Sequence, residues 1–141
     1  THPAFSVYQT STQSNITGNA TFATINLGSE LYDHGGDVSG TTFTAPVTGA
    51  YLLTAEFALG GVVSGHSSGF AYFKTSNRDW KGGHTNPFAV VGASEVSVGG
   101  YIHVDMDAGD TAYMQVYVAG GTQVIDIAAG IGNRFGGHLI G

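Results

Sequence analysis

Phe43-Thr-Ala-Pro-Val-Thr-Gly-Ala-Tyr51, continued by Leu52-Leu-Thr-Ala-Glu-Phe-Ala-Leu59, is the stretch that decides the fold. Pro46 fixes its own φ and pushes Ala45 toward an extended conformation, and Gly49 reads as the residue that lets the backbone reverse before Tyr51. Beyond that turn the side chains alternate. Tyr51, Leu53, Ala55, Phe57 and Leu59 fall on one face, with Ala50, Leu52, Thr54, Glu56 and Ala58 on the other. A period of two belongs to a strand, whereas a helix would scatter the apolar set around its circumference.

Outward from this strand the chain reads as short strands separated by clusters of Gly, Ser, Asn and Asp, and no segment carries a helical stripe. Strands are predicted near 3–8, 20–25, 41–45, 50–59, 69–75, 87–92, 95–106, 111–118, 122–129 and 133–140. Gly60-Gly61, the segment 64–69, Lys81-Gly82-Gly83-His84 and Gly120-Gly121 are the expected connecting turns. Gly120-Gly121-Thr122 further predicts a hairpin between the strands on either side of it, and Ala108-Gly109-Asp110 another. With no linker and no internal repeat, residues 1–141 read as a single domain. The fold class is all-β, a sandwich of about ten antiparallel strands.

Composition agrees. A chain of 141 residues is long enough to bury a core without covalent staples. Only 10% of residues are charged, against roughly 25% in ordinary soluble domains, so Ser, Thr, Asn, Gln, Gly and aromatic residues must form much of the surface. That favours buried interfaces. With no cysteine there are no disulfides and no thiolate metal sites. A formal charge of −6 with four basic residues argues against a nucleic-acid partner, because phosphate binding needs clustered positive charge. No apolar run approaches the ~20 residues of a membrane-spanning helix, so membrane insertion is not expected, and no signal peptide is visible. The chain reads as a mature fragment or an excised domain.

Phe43-x-x-Pro46-Val47-x-Gly49-x-Tyr51 resembles the signature of the C1q globular-head family, a group of tumour-necrosis-factor-like jelly rolls, and further matches occur in order along the chain. Ala4-Phe5-Ser6 is similar to the family's first strand. Thr21-Phe22 with Ile25, Gly28, Tyr32-Asp33 and Gly40 is similar to its second strand and the loop after it. Ile102-x-Val104-x-Met106-x-Ala108-Gly109-Asp110 resembles the strand that ends in Gly-Asp, and Phe135-Gly-Gly-His-Leu139-Ile140 resembles the closing strand. The segment from about 60 to 100 is the poorest match. The resemblance implies a jelly-roll β-sandwich that assembles as a homotrimer around a three-fold axis.

The later strands carry a second message. Ile102, Val104, Met106, Ala112, Met114, Val116 and Val118 should fill the core, while Tyr101, His103, Tyr113, Gln115 and Tyr117 stand on the opposite side. Aromatic residues with polar tips on an outer face are what protein interfaces are enriched in, so this set is the candidate trimer interface.

Lys74, Arg78 and Lys81 gather around Trp80 in a chain that otherwise avoids charge, although a solvated basic loop reads the same way. An exposed Trp beside Arg and Lys can grip a sugar or an aromatic ligand, and Trp80, Arg78, Lys81 and His84 are the candidate ligand-binding residues. Asp105, Asp107 and Asp110 are the candidate metal ligands. Closely spaced carboxylates suit calcium, the one cofactor this set would favour, though Asp in a turn is favoured for local hydrogen bonding alone. Glu30, Asp33 and Asp37 form a second acidic loop, read as solvated.

No nucleophile motif, Walker loop or dinucleotide loop occurs, and Gly130-Ile-Gly132-Asn-Arg-Phe-Gly136 fails the last on spacing and context. The six histidines show no pair at ligand spacing and read as surface or interface residues. Asn15-Ile-Thr17 and Asn19-Ala-Thr21 are glycosylation acceptor sequences that chance explains in so Asn- and Thr-rich a chain. An enzyme is not expected. The reading is a non-enzymatic trimeric recognition head, extracellular, on a cell surface or on a virion, at the C-terminal tip of a longer fibre protein. Its partner would be a cell-surface glycan or protein. The alternative is a structural cap that trimerises a fibrous protein and binds no ligand. Exposure of Trp80 in a concave site would favour the head; packing of the same residues would favour the cap.

Overall fold

The structure is a computed structural model and describes residues 2–90 and 95–141. Strand β7, Gly49–Gly60, is the long strand expected from the sequence. Tyr51, Leu53, Phe57 and Leu59 are fully buried and Ala55 nearly so. The turn before it works differently from the expectation. Gly49 does not have positive φ. Its missing side chain matters for space instead, because a Cβ there would lie 2.8 Å from Leu139 Cδ1 and 3.1 Å from the Gly141 carbonyl oxygen. The turn is pinned by Tyr51, whose hydroxyl donates to the Val47 carbonyl at 2.6 Å.

Thirteen strands are described, in two antiparallel sheets. The seven-stranded sheet contains β1 (Ala4–Gln9), β2 (Gln13–Thr17), β4 (Ser29–His34), β7, β10 (Val96–Met106), β12 (Ile125–Ile127) and β13 (Gly130–Leu139). Its central order is β4-β1-β13-β7-β10, and β12 follows β13 along the same edge of β7 and carries β2. The six-stranded sheet contains β3 (Thr21–Thr24), β5 (Val38–Ser39), β6 (Thr42–Thr44), β8 (Ser68–Thr75), β9 (Asp79–Lys81) and β11 (Thr111–Ala119). Here β11 pairs with β8 along one edge and with β6 and β3 along the other. This is the jelly-roll sandwich. Its core interleaves Phe5, Phe43, Phe135 and Met106 with Phe73, Met114, Val116 and Val118. Phe5 stacks on Phe43 at 4.3 Å and meets Phe135 edge-on at 5.0 Å, favourable geometries for aromatic pairs.

Several expectations are corrected. The strand predicted at 87–92 starts as a short helix, α1 (Pro87–Val90), with Pro87 at its first position and Asn86 Oδ1 accepting from the Ala89 amide at 3.1 Å. Val91 and Gly92 lie outside the described residues. Neither predicted hairpin forms, because β10 and β11, and likewise β11 and β12, belong to different sheets. Gly-rich turns at those points carry the chain across the sandwich. Strands β2, β4, β5 and β9 were not expected, being short, at sheet margins or largely polar on both faces, so they lack the alternation that signals a strand.

His66 is the one histidine that departs from the surface reading, since it is fully buried. Its Nδ1 accepts from the Val63 amide at 3.0 Å, so Nε2 carries the proton and donates to the Thr122 carbonyl at 2.8 Å. A Cβ on Gly121 would come within 2.6 Å of this ring, and one on Gly18 within 2.8 Å. His66 thereby ties three loops together at one end of the sandwich. Among the described residues no helix is long and apolar enough to cross a membrane.

The pinned turn predicts that Tyr51→Phe, which keeps the buried ring and removes the bond to Val47, lowers unfolding free energy by about 1 kcal/mol. Leu53→Ala should cost about 2–5 kcal/mol by opening a cavity in the same strand. Urea titration of both variants checks the ratio; equal losses would mean that the hydroxyl does more than pin the turn.

Candidate functional site

Strand register decides which candidate residues meet. On β9, Trp80 pairs with Phe73 and therefore shares its core-facing side, while Asp79 and Lys81 share the outer side with Lys74 and Tyr72. Trp80 is half-buried against the core, with its indole Nε1 buried and without a partner among the described residues. The expectation that Trp80 is exposed beside Lys81 and His84 is thus corrected. Arg78 stays near Trp80, its guanidinium 5.8 Å from the ring centroid, and pairs with Asp105 at 3.0 Å. Lys81 and His84 lie elsewhere.

They lie on the outer face of the six-stranded sheet, beside an aromatic ledge that the sequence reading did not single out. The register aligns Phe22 on β3, Tyr117 on β11 and Phe70 on β8 as direct cross-strand neighbours. Phe22 and Tyr117 have centroids 4.6 Å apart, and Tyr117 stacks on Phe70 at 4.9 Å with 22° between planes. Tyr72 closes one side, 5.3 Å from Phe22 and 5.5 Å from Phe70. Polar groups rim this ledge. Lys81 Nζ stands 4.7 Å over the Phe70 ring, and His84 Nε2 lies 2.5 Å from Ser68 Oγ. Together these side chains enclose a groove of about 290 Å³. The signal that could have revealed it is the run Phe70-x-Tyr72 read against Tyr117 and Phe22, but only pairing between distant strands brings those rings together.

The Ser68–His84 contact has the reach of a nucleophile and a base. A third group orienting the ring is a regular part of that machinery, and none holds the second nitrogen of His84 among the described residues. The pair is a rim of the groove.

The candidate interface set is divided between the two sheets. Tyr101 and His103 are on β10, whereas Tyr113, Gln115 and Tyr117 are on β11, so they occupy opposite outer surfaces of the sandwich and form no single face. The sequence reading merged them because β10 and β11 are consecutive. On the seven-stranded side the register sets Tyr32, Ser6, Gly136, Thr54 and Tyr101 in one row, and His34, Ala4, His138, Leu52 and His103 in the next. Tyr101 is 76% exposed. Gly136 and Gly137 leave a hollow of about 200 Å³ on this face, bordered by Tyr32, Leu52, Thr54 and His138.

The acidic candidates do not converge as a cation site. Asp105 is held by Arg78, and Asp110 turns inward on its own loop. Asp110 Oδ2 accepts from the Asp107 amide at 2.7 Å and from Asn77 Nδ2 at 2.9 Å, and Oδ1 accepts from Ser76 Oγ at 3.0 Å. Those oxygens organise the turn. Among the described residues no group of three metal-type ligands forms. Asp33 plays a similar part in the second acidic loop, accepting from the amides of Asp37 and Val38 at 2.8 and 3.0 Å. Desolvation, with the Asp33 charge beside it, raises the pKa of Asp37.

The bond from the Asp107 amide, with those from Ser76 and Asn77, holds the Asp110 carboxyl below its ordinary value of 3.8. A depressed folded-state pKa contributes stability above the unfolded value and loses it as pH falls through the folded one. Asp110→Asn should therefore melt at a lower temperature than the parent at neutral pH, and the gap should narrow once pH drops below 3.8. Melting curves across that range test this; a gap independent of pH would show that charge is not the cause.

No protein-family model matches the sequence, and no curated protein matches it. Solved structures do match. The globular domain of zebrafish complement 1qA superposes over 100% of this chain and 98% of its own, with a TM-score of 0.64 and 17% identity. Murine APRIL at pH 5.0 superposes over 99% of this chain and 100% of its own, with a TM-score of 0.65 and 12% identity. Its pH 8.5 form gives 0.63 and 12% over the same shares. At these identities the likeness is one of fold, and the chain is a jelly roll of the kind seen in the C1q globular domain and in APRIL.

Proposed function

We propose that this chain is a non-enzymatic recognition head that works as a homotrimer at the C-terminal tip of a longer extracellular, cell-surface or virion-surface fibre protein. Its target is a cell-surface glycan or protein. The observation that carries this reading is the outer face of the seven-stranded sheet. There Tyr101 protrudes from β10, and the Gly136-Gly137 hollow lies two strands away in the same sheet. The protrusion of one copy can enter the hollow of another. Where that contact is heterologous and its rotation closes, a ring forms, and three copies is the number that the resemblance to the C1q globular-head family implies. The hollow would admit a neighbour's Tyr101 ring, with Leu52 and Thr54 beside it.

This arrangement turns the six-stranded sheet outward and leaves its aromatic groove accessible in each copy. Three grooves on one head multiply weak single contacts by avidity. Trp80 favours the second reading, a trimerising cap without a ligand, because its ring is packed rather than presented. The open groove, with exposed Phe22 and Lys81, weighs on the other side.

Light scattering tests the assembly. The parent should give three times the 14.5 kDa of one chain, and Tyr101→Asp should give one chain at low micromolar concentration with an unchanged circular dichroism spectrum. A parent that scatters as a single chain overturns the proposal.

A further inference from the structure

The groove on the six-stranded sheet has a chemistry of its own, and it deepens the recognition-head reading on which it rests. We infer that it binds an acidic saccharide, stacking a pyranose ring on Phe22 and the adjoining part of Tyr117 and pairing the sugar's carboxylate with Lys81. Three observations point there.

The first is the ledge itself. Phe22 is 46% exposed although its ring contacts three other aromatics, so it presents ring surface to solvent, with Tyr117 partly exposed beside it and Phe70 buried beneath. The C–H bonds on one side of a pyranose are weakly positive and suit the negative face of an aromatic ring. The second is size and lining. A space of about 290 Å³ suits one ring-sized group, and among the described residues no aliphatic side chain lines it. Ser68, His84 and Tyr72 bring hydroxyl and imidazole groups that can donate and accept, as sugar hydroxyls require.

The third is charge. Among the described residues Lys74 is paired with Asp79 and Arg78 with Asp105, but Lys81 is in no ion pair. Asp79 stands on the same side of β9, with its carboxylate taken up by Lys74 at 2.8 Å, and among the described residues no carboxylate lines the groove. An uncompensated ammonium over an aromatic ring, in a chain of net charge −6, is a place for an anion. A carboxylate there gains a charge-assisted hydrogen bond while its ring stacks on the ledge.

The test is an array of uronate- and sialate-bearing saccharides with their neutral counterparts, probed with the intact chain and three variants. The parent should bind acidic members over neutral ones. Phe22→Ala should weaken all binding about tenfold or more, and Phe22→Tyr, which keeps the ring, should restore it. Lys81→Gln should remove about tenfold of the preference for acidic members. Phe22 and Lys81 lie on the sheet opposite Tyr101, so light scattering of these variants should match the parent, and Lys81→Gln and Phe22→Tyr should also melt with it. A parent that binds no saccharide, or binds neutral ones with no effect of Lys81→Gln, overturns the inference. If that parent still scatters as a trimer, the assembly stands and the target is of another class.

Discussion

Strand β7 is held on both edges, by β10 on one side and by β13 and β12 on the other, while every second side chain enters the core. A slip of one residue would expose Tyr51, Leu53, Phe57 and Leu59 together and bury Thr54 and Glu56 in their place. Burial of a large apolar side chain is worth roughly 1.5–3 kcal/mol, so the wrong register would forfeit a sum comparable to the whole stability of a domain. Once β7 is fixed, so are the registers of β10, β13 and, through β13, β1 and β4. The outer rows that display Tyr101 and His138 are consequences of where the inner rows must point.

The same logic explains what could be read in advance. Strands with one dry and one wet face, such as β7, β10 and β11, announce themselves by alternation, and both the fold and the core positions were legible from them. Short strands such as β4 and β9 owe their pairing to neighbours far along the chain and carry no such pattern. Trp80 was misplaced for a related reason. Composition marks the Arg78–Lys81 segment as a charged aromatic loop, yet it is an edge strand, and strand parity sends Trp80 inward while Lys81 goes outward. Lys81 and His84, read together from the sequence, line one groove, but its aromatic surface is built by three strands whose proximity no local signal reveals.

A sandwich gives a small protein two outer faces whose side chains are set independently, because each belongs to a different sheet. Here the seven-stranded face combines small residues, a protruding tyrosine and a row of histidines, whereas the six-stranded face concentrates aromatic rings with a lysine. The candidate interface residues inferred from consecutive strands straddle this division. Tyr117 belongs to the groove and Tyr101 to the opposite surface, with the shared core between them.

The marginal strands carry one more consequence. Sheet margins are where unpaired amides and carbonyls invite another strand, and a chain with 10% charged residues has few charged side chains with which to guard them. Glu30 and Asp33 on β4, Asp79 and Lys81 on β9, and Asp105 on β10 place much of that scarce charge along those margins. Ionic groups so placed act as gatekeepers against fibrillar stacking. They oppose growth edge to edge while leaving the two broad faces of the sandwich free of that restriction.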